Sequence, residues 1–297
     1  NAGDTIWLDA GSYGSDTWEL ISSMETAAVN LDTDNLTLIG KDSNATVIDP
    51  PGAKTTVGLY GIYADSQSGL TIRNVGALDA YNGLKLVNVD KSSITSDSLT
   101  SNGDFALFMI NGSDTNTISH NLITFNSKDG IQTTTNSNEN VFLHNTTSSN
   151  SWSGIAIVDG RGVAIRHHVS RSNASHGIYL NAGAGVTVFQ CASESNTQYQ
   201  VFFTGASSAD TFQKNTFKTS STNPDSGAFS DATAVPASFN LTRNYWSTVD
   251  SAAIRGMIYQ GSNGDSISYT PWRFGVADTS AGADTVAPKA PDSVTIA

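Results

Sequence analysis

Cysteine is almost missing from this chain: Cys191 is the only one in 297 residues. No intramolecular disulfide can form, and a zinc site built on cysteine pairs is excluded. That says little about compartment, because a large core holds a secreted protein together without disulfides. Positive charge is scarce too, with 15 Lys and Arg against 27 Asp and Glu, for a net charge of -12. Nucleic-acid binding draws most of its affinity from a basic face, so no nucleic acid is expected as partner. No apolar run approaches the roughly 20 residues that span a bilayer, so no membrane insertion is expected. Charged residues make up only 14%, and Asn, Ser, Thr and Gly supply the remaining polarity. Good helix formers are few and turn formers many, which points to an all-β fold.

What the chain does have is a repeat. Gly followed by an aliphatic residue recurs at Gly83-Leu84, Gly130-Ile131, Gly154-Ile155 and Gly177-Ile178. Phe105-Ala106 and Gln200-Val201 fill the same phase, so the step stays near 23 residues. Asn102, Asn126, Asn150, Asn173 and Asn196 keep the same beat. Short strands separated by sharp turns at this period suit one coil of a parallel β-helix, whose coils stack at about 4.8 Å. Ile131, Ile155, Ile178 and Val201 are expected to form one inward column, with Ile118, Phe142, Ala164 and Thr187 as another. The asparagines would form a ladder that satisfies buried polar groups. Asn121, Asn145 and Asn215 mark a second row, into which His168 and Cys191 are substituted.

These marks, with "AGDTIWLDAGSY" at 2–13, "LTLIGKDSNATVID" at 36–49 and "RNYWSTVDSAAIRGMIYQGSNGDSISYTPW" at 243–272, resemble the right-handed parallel β-helix proteins of the pectin-lyase-like superfamily. The resemblance implies an all-β, single-stranded right-handed parallel β-helix of about ten coils over residues 1–277. Tyr245, Trp246, Tyr269, Trp272 and Phe274 would cover its last coil. Residues 278–297, richer in Ala and Pro, read as a linker into a following immunoglobulin-like module. The implied function is a secreted or cell-surface module that recognises polysaccharide within a larger multidomain protein. Two alternatives are a polysaccharide lyase or glycoside hydrolase acting on an acidic glycan, and a structural stalk or adhesin without ligand. One such fold hosts many functions, so the choice rests on side chains.

Surface rows supply the candidates. Six residues before the Asn mark stand Ser96, His120, His144, His167 and Gln190, followed by Lys214. Imidazoles suit transition metals, but parallel strands point these rings one way, so no metal is expected. A lyase needs a base and a cation beside the sugar carboxylate. Arg166 and His167, assisted by Lys128 or His176, are the catalytic candidates. His176 shares a turn row with Asn82, Asp104, Asp129, Ser153 and Tyr199. The outward row after the glycine holds Lys85, Leu107, Gln132, Ala156, Tyr179 and Phe202. Trp152, Tyr179 and Phe202 are candidate sugar platforms, with Arg171 and His144 as further binding candidates. The carboxylate pairs of glycosidases do not stand out: Asp129 and Asp159 are isolated in turns. Adjacent paired acids that would hold Ca²⁺ are absent from the central coils, and no cofactor is expected.

Overall fold

Each central coil contains three short strands separated by sharp turns, as in Ala164–Arg166, Val169–Arg171 and Ile178–Asn181. The structure, a computed structural model, describes residues 1–14, 19–22, 25–50, 54–205, 207, 209–220, 223, 226–232, 238–260, 266–273, 275 and 279. Phe274 and, Thr279 apart, the expected linker at 278–297 lie outside them.

Every strand pairs with its equivalent one coil along, which gives three long sheets. Sheet 1 contains Ala164–Arg166 and has 11 strands; sheet 2 contains Val169–Arg171 and has 9; sheet 3 contains Ile178–Asn181 and has 11. Among the described strands all pairings are parallel except one hairpin, Glu19–Ser22 with Glu25–Leu31, in the first coil. Eight successive coils, from Thr37–Gly40 to Ala228–Ala232, are regular in all three sheets. That is about eight regular turns where about ten coils were expected.

The turns explain the repeat. The residue between sheets 1 and 2 is left-handed in coil after coil: His120 (φ 58), His144 (φ 53), His167 (φ 51) and Gln190 (φ 52). This conformation is uncommon for a residue with a side chain, though Asn, Asp and His tolerate it best. Backbone bonds to the next coil hold it, as from His144 N to Arg166 O at 3.0 Å. The glycine marks have a different cause. A Cβ on Gly177 would lie 1.8 Å from Ser193 Oγ and 2.6 Å from Asn196 Nδ2. The glycine therefore makes room for the asparagine ladder beside it.

The ladder under the turn between sheets 2 and 3 is unbroken. Nδ2 of Asn102, Asn126, Asn150 and Asn173 each donates to Oδ1 of the next Asn at 2.9–3.0 Å. Gln200 ends it by accepting from Asn196 Nδ2 at 2.8 Å. The ladder under the turn between sheets 1 and 2 is interrupted. Asn121 bonds Asn145 and Asn215 bonds Asn244, each at 3.0 Å, but Asp97, His168 and Cys191 occupy the rungs around these pairs. His168 N donates to Cys191 Sγ at 3.4 Å, and Cys191 N to Asn215 Oδ1 at 2.8 Å.

Two registers differ from expectation. The mark in the second repeat is Ala106-Leu107, paired with Gly83-Leu84, not Phe105-Ala106. The inward Leu107 therefore leaves the outward row, and Phe108 replaces it. The second column is Ile118, Phe142, Ile165 and Val188, with Ala164 and Thr187 one position off. The cause is local. In the central coils sheet 1 to sheet 2 takes five residues, Thr117 to Leu122 and Ala164 to Val169, whereas sheet 3 to sheet 1 varies: ten from Ile131 to Val141, nine from Ile155 to Ala164.

The interior is a single aliphatic and aromatic stack from Leu31 to Ile267. At its C-terminal end Trp246 is fully buried with its ring 4.8 Å from Phe217. Tyr269 and Trp272 pack beside this core. Asp250 caps the short helix Ser251–Gly256, accepting from Ala252 N and Ala253 N, and Ile254 faces inward.

Candidate functional site

The outer face of sheet 3 carries aromatic side chains on several of its strands. Register places Tyr63, Lys85, Phe108, Gln132, Ala156, Tyr179 and Phe202 on seven consecutive strands, with Tyr259 two strands further on. At the strand spacing this strip is about 40 Å long. Its centre of gravity is an aromatic cluster. His176 stacks on Phe202 at 4.4 Å, Tyr179 at 5.7 Å and Tyr199 at 5.8 Å. Tyr179 and Phe202 stack on each other at 5.6 Å, an offset arrangement that rings favour. Burial pushes the His176 imidazole down to about 4, so the ring is neutral near pH 7. Among the described residues its Nδ1 and Gln132 Oε1 lack a hydrogen-bond partner.

The turn leading into sheet 3 frames this cluster. Lys128 Nζ pairs with Asp104 Oδ1 at 2.5 Å and lies over the rings of Phe105 at 4.8 Å and Trp152 at 5.2 Å. Trp152 is half-exposed. Asp129 is buried, which raises its carboxyl to about 6, although Ser153 N donates to its Oδ1 at 2.6 Å. A second cluster sits at the N-terminal end of the strip. Glu25 accepts from Tyr60 Oη and from Lys85 Nζ, the latter at 3.0 Å. Lys85 Nζ also donates to Tyr60 Oη at 2.7 Å. Tyr60 and Tyr63 stack at 5.4 Å, and burial pushes both phenols well above their usual range.

The sequence-derived candidates divide between faces. Lys128, Trp152, His176, Tyr179 and Phe202 come together on sheet 3 and its leading turn. Arg166 lies on the outer face of sheet 1, paired with Leu143 and Phe189. His167 lies at the corner between sheets 1 and 2, in the stack with His144 (4.6 Å) that continues to His120 (5.0 Å). Arg171 is on sheet 2 beside Glu194. Sheet 2 separates Arg166 and His167 from Lys128 and His176, so these four do not form one site. Among the described residues no three His, Cys, Asp or Glu groups gather in a way that could hold a metal. Clefts of about 320 and 430 Å³ open beside Asp210 and beside Trp7. Neither belongs to the strip, which is a long shallow face.

Sequence reasoning missed Tyr60, Tyr63, Glu25, Phe105 and Phe108. Gly61-Ile62 carries the glycine mark one coil before Gly83-Leu84, and following it would have reached the tyrosines.

A parallel solenoid with an aromatic strip on one sheet is thus the class of protein that the fold and the site define. Residues 60–217 match the model of the right handed beta helix region, and the chain belongs to that family. No curated protein matches it. Among solved structures it is similar to an alginate lyase from Paenibacillus sp. str. FPU-7, with TM-score 0.62 and 15% identity over 88% of this chain and 92% of that one. Pectate lyase Pel9A matches with TM-score 0.62 and 13% identity, over 98% of this chain and 78% of that one. The A-module of the Azotobacter vinelandii mannuronan C-5 epimerase AlgE4 gives 0.57 and 11%, over 93% and 91%. At such identities the likeness is one of fold.

Proposed function

We propose that this chain recognises a linear polysaccharide laid along the outer face of sheet 3. The observation that carries the reading is the strip from Tyr63 to Phe202, on seven consecutive strands in register. A pyranose presents a face of C–H groups that packs on an aromatic ring, while its hydroxyls find polar neighbours at the edge. The strip supplies both, with Gln132, Asn181 and the His176 edge beside the rings. A shallow face several rungs long suits a polymer better than a small molecule. Similar structures named as alginate lyase, pectate lyase and mannuronan epimerase support the same class of ligand. A secreted or cell-surface location belongs to this reading, as do an adhesive role and further domains after residue 277. Among the described residues no helix is long and apolar enough to cross a membrane.

Binding, not cleavage, is the primary reading, because the ionisable groups on the strip are paired or held neutral while Tyr179 and Phe202 are partly exposed beside the half-exposed Trp152. Affinity electrophoresis through polysaccharide-loaded gels tests it. Retardation by at least one glycan, lost in Tyr179→Ala with Phe202→Ala, is expected. Loss in Arg166→Ala instead would move the site to sheet 1. Unsaturated uronate products, seen by ultraviolet absorbance, would make the protein a lyase. No retardation and no product would leave a structural stalk.

A further inference from the structure

We infer that the glycan taken by sheet 3 is neutral, not a polyuronate. The inference rests on the polysaccharide reading and concerns its ligand class. A polyuronate carries a carboxylate on every sugar, and a face that binds it must offer cations not already spent on the protein's own acids. Sheet 3 does the opposite. Lys54 pairs with Asp79 at 3.6 Å, Lys85 with Glu25 at 3.0 Å and Lys128 with Asp104 at 2.5 Å. These three are the Lys–carboxylate pairs found among the described residues, and all lie on sheet 3 or the turn leading into it.

Two of the lysines are further committed to rings: Lys85 lies 4.4 Å from the Tyr60 centroid, and Lys128 lies over Phe105 and Trp152. His176 is wedged among Tyr179, Tyr199 and Phe202, a setting for a neutral ring. A carboxylate remains beside the strip: Asp65 accepts from Tyr63 Oη at 3.2 Å. On the strip itself, among the described residues, a charged polymer would meet this acid while Lys85 and Lys128 are already paired. The chain's net charge of -12 adds long-range repulsion. Exposed Arg166 and Arg171 belong to sheets 1 and 2. What the strip offers a sugar is ring faces and hydrogen-bonding groups, which is the chemistry of neutral pyranoses.

The test runs the intact protein through gels loaded with glucan, mannan, xylan, galactan, alginate or polygalacturonate, the last two with and without Ca²⁺. Retardation by a neutral polymer and unchanged mobility in both polyuronates are expected. Neutral-glycan affinity should change less than about twofold from low to high salt, since no exposed ion pair with the ligand is screened. Polyuronate binding that weakens with salt and is lost in Tyr179→Ala would overturn the neutral class while leaving the polysaccharide reading in place. Silence in all eight gels would remove both. A second variant probes the charge argument directly: Glu25→Gln with Asp104→Asn frees two lysines and should create polyuronate retardation. Mobility still unchanged in that variant, with the melting curve intact, would overturn the argument.

Discussion

At the corner between sheets 1 and 2, imidazoles stack because a left-handed turn repeats. On sheet 3, rings stack because an extended strand repeats. The ladders beneath them differ in the same sense. Under the turn into sheet 3, asparagine follows asparagine from Asn102 to Asn196. Under the other corner Asp97, His168 and Cys191 break the row. A regular interior thus lies below the strip, and a patched one below the histidines. Ring stacking alone therefore does not mark a binding surface. In a solenoid any residue type repeated at one phase will stack, and what distinguishes sheet 3 is length and the groups that frame it.

The most forceful way to break the comparison is Gly177→Val. Side-chain atoms there would meet Ser193 Oγ and Asn196 Nδ2, and overpacking plus a broken rung should cost about 3 kcal/mol or more. Denaturant unfolding measures it. Next comes repair of the interrupted ladder. Asp97 Oδ1 accepts from Val75 N at 2.9 Å, but among the described residues Oδ2 has no partner, and burial raises the carboxyl to about 8. The folded state therefore holds a proton that the unfolded chain releases near its ordinary 3.8. Stability contributed by this group is present below pH 4 and is lost as pH rises through 8. Asp97→Asn should add about 2 kcal/mol at pH 9 and little at pH 4, read from melts at the two values.

Comparison of the two surfaces themselves needs Tyr179→Ala and His120→Ala. Loss of a central ring should weaken glycan binding roughly tenfold, whereas the exposed histidine of the other stack should change it less than about twofold. Equal losses would erase the distinction. The smallest effect is expected from His168→Asn. Burial lowers His168 to about 3, below its unfolded 6.5, so the unfolded chain takes up a proton first. Stability is lost as pH falls below 6.5. The Asn variant forfeits the His168–Thr147 contact at 3.1 Å yet removes that acid limb, for a gain of about 1 kcal/mol at pH 5. Melts at pH 5 and 7 decide it.

Most of the fold was legible because its causes are local. Gly177 and Asn196 mark the rung because one leaves the space that the other fills. The inward column Ile131, Ile155, Ile178 and Val201 follows directly. Register failed at Ala106 and Ile165, where the mark loses its glycine or a turn changes length by one residue. The candidate site was half legible. Tyr179, Phe202 and Trp152 stood out as aromatics, but the partition of Arg166 and His167 from Lys128 and His176 depends on which sheet each strand joins. Charge clustering along the chain carries no such information. Nor do the ion pairs of Lys85 and Lys128, which link residues 60 and 24 positions apart.

Coil length in the central region varies between sheet 3 and sheet 1, while the five-residue step from sheet 1 to sheet 2 stays fixed. That bend is the natural port for insertions, since extra residues there alter no rung on either side. A loop grafted after Val158 or Asn181 would overhang one margin of the aromatic surface without disturbing it. Length changes at this bend offer evolution, or an engineer, a way to reshape ligand preference while the scaffold stays untouched.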